Sequence, residues 1–197
     1  MSARKKEITA ADILPPAEYA KRRAVMRTEI VRKKKNRRLE VGPFATFYFE
    51  CYETMLQQVQ EMLHIEKGGT AQIADELSAY NPLIPKGTEL VATVMFEIDD
   101  PVRRGNVLGR LGGVEETMFI KVGEEKVRGV PEADQDRTND QGKASSVQFV
   151  HFPFTRDQIA RFKSAGAMVV VGMEHPNYGH MAVVPEATRA ELAQDFD

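Results

Sequence analysis

One cysteine, no tryptophan and no long apolar run are the first features of this 197-residue sequence. A lone thiol, Cys51, cannot close an internal disulfide, and it excludes the cysteine-rich sets that hold structural zinc or iron–sulfur clusters. Its isolation agrees with a reducing compartment. The apolar stretches, such as 167–172, fall far short of the roughly 20 residues a membrane-crossing helix needs. Met1-Ser2-Ala3-Arg4-Lys5-Lys6-Glu7 begins like a signal peptide but runs into Asp12 and Pro15-Pro16 instead of an apolar core. A cytoplasmic location with no membrane association is therefore expected. Also missing are a Gly-x-Ser-x-Gly elbow, a phosphate-binding loop and a dinucleotide fingerprint. The glycine-rich Gly109-Arg110-Leu111-Gly112-Gly113 lacks the strand–loop–helix setting of a nucleotide site and reads as a connection.

What is present is an ordinary globular composition, 42% apolar and 28% charged, long enough to bury a core without crosslinks. One domain over residues 1–197 is expected. The net charge of −2 conceals a split. Residues 1–40 carry 13 Lys/Arg against 5 Asp/Glu, a balance of +8, which leaves 14 against 24, or −10, for the remainder.

Pro16 or Ala17 can open a helix, on which Tyr19, Met26 and Ile30 form a narrow apolar stripe with Arg23 near its edge. The predicted helix docks by its first half and projects or frays through Arg32–Arg38. Extended segments follow at 39–41 and 44–49, then an amphipathic helix over 52–65 and a short helix carrying Ile73, Leu77 and Tyr80. Asn81-Pro82-Leu83-Ile84-Pro85 must be irregular, because neither proline fits a helix interior. The second half reads as strands: 89–98 with Leu90, Ala92, Val94, Phe96 and Ile98 on one face, a hairpin from 117 to 130, then 147–154, 167–173 and 181–184. A capping box at Thr155–Gln158 opens a helix ended by Gly166, and Pro185 starts the last one. Residues 131–143 read as a polar, mobile loop. Short turns without regular βαβ alternation predict an α+β fold: a largely antiparallel sheet covered by helices, with a basic helical arm over 1–40.

Three groups of residues invite chemistry. Arg32, Lys33, Lys34, Lys35, Arg37 and Arg38 can meet an anionic partner, a protein or another copy of the chain, or be a solvated helix end. No aromatic is interleaved to stack on bases, which argues against nucleic acid. His175 and His180, joined by His151 if the fold allows, form a possible metal set; the alternative is a plain turn built by Pro176, Asn177 and Gly179. Glu61 and His64 show the Glu-x-x-His spacing of di-iron bundles, but no second such pair exists on a mostly stranded remainder. Finally Glu50, Tyr80, Asn81, Arg137 and His175 are polar residues in otherwise apolar or rigid segments, where a ligand pocket can form. Cys51, flanked by Glu50 and Glu53, reads as a buried, inert thiol.

Several segments together resemble an uncharacterised bacterial family of this length, one of the domains of unknown function. They include Asp12-Ile13-Leu14, Gly42-Pro43, Phe49-Glu50, Glu53-Thr54, Gln60-Glu61-Met62-Leu63, Arg137-Thr138, Ser145-Ser146-Val147, and His175-Pro176 with Tyr178. The string Ala79-Tyr80-Asn81-Pro82-Leu83-Ile84-Pro85 belongs to the set, and its part from Tyr80 to Pro85 is the most specific piece. The resemblance implies an association with rubrerythrin and an iron–sulfur oxidoreductase, hence a part in oxygen or peroxide defence or in electron-transfer assembly. It carries no catalytic residues. An arginine often stands in the family pattern where this chain has His64, and His180 is outside the pattern. The sequence thus favours a non-catalytic accessory protein docking on a redox partner. The alternative is a small metal- or ligand-binding enzyme with a site around Glu50, Arg137 and His175.

Overall fold

The computed structural model describes residues 5–132, 137–140 and 142–197. The chain enters along an extended segment that buries Ile8, turns through a 3-10 helix at Ala10–Asp12, and opens α1 (Pro16–Lys34) at a proline whose missing N–H costs the first turn nothing. β1 (Arg38–Val41) and β2 (Ala45–Phe49) pair antiparallel across a turn in which Gly42 takes a φ of 72°. α2 (Tyr52–Glu66) ends at Lys67, a non-glycine residue in the left-handed region with φ 56°. α3 (Gly69–Tyr80) gives way to the irregular proline segment. Then come β3 (Glu89–Phe96), α4 (Pro101–Leu108), β4 (Met118–Val122), β5 (Glu125–Arg128), β6 (Val130–Pro131), β7 (Val147–Pro153), α5 (Arg156–Lys163), β8 (Val169–His175), β9 (Tyr178–Val183) and α6 (Glu186–Leu192).

The fold is α+β, and the described strand pairings are antiparallel. The strands divide, however, into two sheets where one was expected: β1-β2-β3-β7-β6 and β5-β4-β8-β9. A main core includes Phe47, Leu90, Val94 and Phe152 of the first sheet with Ile120, Val171 and Met173 of the second. A smaller core lies on the other face of the first sheet, where Val91 meets Met55 and Val59 of α2 with Ile8, Leu83 and Ile84. β3 therefore contributes to both cores. Leu90, Ala92, Val94 and Phe96 point to the main core as their alternation predicts, and Val91 points to the helices.

Tyr178 ties the sheets together. Its hydroxyl accepts from Phe44 N and Ala45 N and donates to Val41 O, each at 2.9 Å. α4, at eight residues, is too short for its apolar stripe to repeat and is missed by sequence patterning, although Asp100-Pro101 marks its start: the Asp100 carboxylate accepts from Arg103 N at 2.6 Å. The expected loop at 131–143 is only partly described. Pro131 belongs to β6 and Thr138 bridges Ala144, while 133–136 and 141 lie outside the described residues. No helix among the described residues is long and apolar enough to cross a membrane.

Candidate functional site

The basic segment resolves into two sides. Tyr19, Arg23, Met26, Ile30, Lys33 and Arg37 follow a spacing of four and three, which holds one stripe of a helix toward the body. Tyr19 is buried, Arg23 donates to both oxygens of Glu61 at 2.9 and 2.7 Å, and Lys33 pairs with Glu53 at 3.2 Å and Glu191 at 3.4 Å. The second half of α1 does not fray, because these ion pairs and Arg37 fasten it. On the opposite side Lys21, Val25, Arg32 and Lys35 are exposed, with Val31 beside them; Val25 and Val31 keep 62% and 68% of their surface in solvent.

Arg37 leaves the set of residues available to an outside anion. It is 1% exposed, and donates from Nε to Phe49 O at 3.0 Å, from Nη2 to Glu50 O at 2.9 Å and to Asp195, and from Nη1 to Glu191 at 3.1 Å. Burial works against its charge, and the Asp195 and Glu191 carboxylates outweigh that to hold it protonated. Lys33 is likewise occupied. Arg38 pairs with Glu40 at 2.5 Å on the exposed side of β1. Lys34 and Arg32 stay at the surface with Lys35. Cys51 lies beside this buried network, where desolvation pushes its thiol up to about 11 against a smaller opposing pull from Arg37.

The ligand set expected at Glu50, Tyr80, Asn81, Arg137 and His175 is only partly assembled. Glu50 Oε2 accepts from Thr54 at 2.6 Å and Oε1 from Thr93 at 2.7 Å. Thr93 faces Phe149 across the β3–β7 ladder, and the Arg137 guanidinium lies 4.6 Å from the Phe149 ring, so Glu50 and Arg137 do reach one sheet face. Among the described residues Arg137 Nε is buried without a hydrogen-bond partner, and desolvation lowers its basicity. His175 is on the other sheet. Its Nε2 donates to Gly112 O and its Nδ1 accepts from Asn177 N, both at 3.2 Å, which commits both ring nitrogens to backbone partners. Asn81 clamps the N-terminal segment, accepting from Ile8 N at 2.7 Å and donating to Ile8 O at 2.9 Å. Tyr80 makes a long contact of 3.5 Å with Gln58.

The histidines expected as metal ligands are not gathered. His151 sits on β7 between Glu89 and Glu132, at 2.9 Å from Nδ1 and 2.7 Å from Nε2, and the Glu89 bond leads in raising its pKa. His180 packs edge-on to Tyr178, ring centroids 4.6 Å apart, close over Gly42. Among the described residues no group of three or more His, Cys, Asp or Glu is placed to hold a metal ion. Glu61 is spent on Arg23, Tyr19 and Gln57, and the Arg23 bond brings its carboxyl down to about 2.

Sequence patterning does not anticipate a pocket of about 670 Å³ between the 13–19 segment, the end of α2 and the start of α3. Ile13, Leu14, Pro15, Ala17, Leu63 and Ile73 supply apolar wall, with His64, Lys67 and Thr70 among the polar lining. The half-buried Leu63 and Ile73 are its sequence trace: apolar stripe positions on two helices that the sheet does not cover.

A family model described as a protein of unknown function, DUF3501, matches residues 7–196. A crystal structure titled as a novel protein of unknown function from Burkholderia pseudomallei K96243 is similar, at 34% identity and a TM-score of 0.89, over 96% of this chain and 99% of that one. No curated protein matches.

Proposed function

The chain belongs to the DUF3501 family of proteins of unknown function, and within it we propose a non-catalytic accessory protein that docks on an acidic redox partner through the outer side of α1. The carrying observation is the unpaired character of that side. Lys21, Arg32 and Lys35 have no ion pair among the described residues, and the exposed Val25 and Val31 stand between them. Cations set around apolar side chains suit a protein surface of opposite charge, with the charges guiding encounter and the valines contributing buried area. The resemblance implying rubrerythrin and an iron–sulfur oxidoreductase supplies the class of partner, in oxygen or peroxide defence.

The enzyme reading has less support. Both oxygens of Glu50 already accept hydroxyl bonds, and His175 is committed on the other sheet.

Calorimetry of the full chain with a purified rubrerythrin-like protein, and separately with an iron–sulfur oxidoreductase, tests the proposal. One of them should bind at low ionic strength, and Kd should rise about tenfold or more between roughly 50 and 300 mM salt. The variant Lys21→Glu/Arg32→Glu/Lys35→Glu should abolish binding while its helical circular dichroism is unchanged. Absence of binding to both partners would overturn the reading, as would equal affinity in the variant, preferential binding to a random DNA duplex, or α1-dependent self-association instead.

A further inference from the structure

We propose that the pocket between residues 13–19, the end of α2 and the start of α3 binds a small amphipathic anion, a single carboxylate on an unbranched alkyl chain. Its volume of about 670 Å³ falls within the range of small-molecule sites. The wall is mostly aliphatic: Ile13 and Leu14 from the entry segment, Pro15 and Ala17 at the opening of α1, Leu63 from α2 and Ile73 from α3. Such a surface selects an apolar tail and offers nothing to orient a sugar or a nucleobase.

The polar lining fixes the sign of the head group. Gln60 is used up on the Leu14 backbone, accepting from its N at 2.9 Å, and the Tyr19 hydroxyl on Glu61 and Gln57. The His64 ring nitrogens make no hydrogen bond and Lys67 no ion pair among the described residues. Among the described residues no Asp or Glu lines the pocket, and there the Lys67 ammonium is the one formal charge on its lining. An ammonium and an imidazole with spare donors beside an aliphatic cavity complement a carboxylate and would leave a cationic head unpaired. Lys67 occupies the left-handed position after α2 where glycine costs least, so the lysine there is held at some conformational expense. The proposal is independent of partner docking, which rests on α1 side chains from Lys21 onward, outside the lining of the pocket.

Isothermal titration calorimetry of the full chain with hexanoate, octanoate and decanoate, and with 1-octanol, tests it. Each added methylene should lower Kd roughly fourfold until the tail fills the pocket. Lys67→Gly should weaken octanoate about fivefold or more and leave 1-octanol unchanged. This variant relaxes a left-handed residue, so unfolding does not confound it. Ala17→Trp, at an exposed wall position, should abolish binding of both ligands, and methyl signals of Leu63 and Ile73 should shift in the unmodified chain on adding octanoate. No binding by any member of the series would overturn the proposal. So would affinity independent of chain length, or binding at several equivalents that survives Ala17→Trp.

Discussion

Replacing Arg37 with methionine removes the cation but keeps much of the stem volume, and the structure sets the scale of the loss. Arg37 and Asp195 have side chains only 1% and 2% exposed. Two backbone carbonyls, Phe49 O at 3.0 Å and Glu50 O at 2.9 Å, also depend on the guanidinium. The variant leaves a buried carboxylate without its cation, which costs about 3–5 kcal/mol, against a total stability of about 5–15 kcal/mol for a folded domain. For a chain of this size that corresponds to a fall in Tm of roughly 6–20 °C. Urea and thermal unfolding followed by circular dichroism should show it, with the slope of the urea transition unchanged. The double variant Arg37→Met/Asp195→Leu should recover most of the loss, because an apolar pair no longer carries an uncompensated charge. Arg37→Lys should fall between, since one ammonium cannot serve four acceptors in the geometry of the fork. A cost below about 1 kcal/mol for Arg37→Met, or a double variant no more stable than the single, would refute the reasoning.

Asn81→Ala should cost about 2 kcal/mol by orphaning the backbone N and O of the buried Ile8, and limited proteolysis should cut the segment before α1 first; an unchanged digestion pattern would exclude the clamp. His151 is held with a raised pKa by Glu89, so its contribution to stability is complete below the ordinary histidine range and is lost as pH rises through the raised value. The stability advantage of the parent chain over His151→Gln should be largest near pH 6 and shrink toward alkaline pH. An advantage that instead grows with pH would contradict the carboxylate clamp on both ring nitrogens.

The family string from Tyr80 to Pro85 gains a physical account from these contacts. Asn81 fastens Ile8, and Leu83 and Ile84 fill the smaller core beneath α2, so the segment is a structural keystone without visible chemistry. The basic front is likewise sorted by position and not by composition. Of the six cations at 32–38, Arg37 is buried and Lys33 paired with two carboxylates, while Arg32, Lys34 and Lys35 remain at the surface.

Local periodicity alone determined the α2 stripe, the alternation of β3, the β4–β5 hairpin register of Val122 with Glu125, and the α5 capping box in which Thr155 and Gln158 exchange bonds. Those features depend on residues a few positions apart, which share a face or a turn by chain geometry. Tertiary structure decided the division into two sheets, the burial of Arg37 against Asp195, the separation of His151 from His175 and His180, and the pocket at the ends of α2 and α3. Each of these joins residues distant in the chain: 158 positions separate Arg37 from Asp195, and 62 separate His151 from Glu89. No local propensity encodes such pairings, because their energy arises only when folding removes both partners from water.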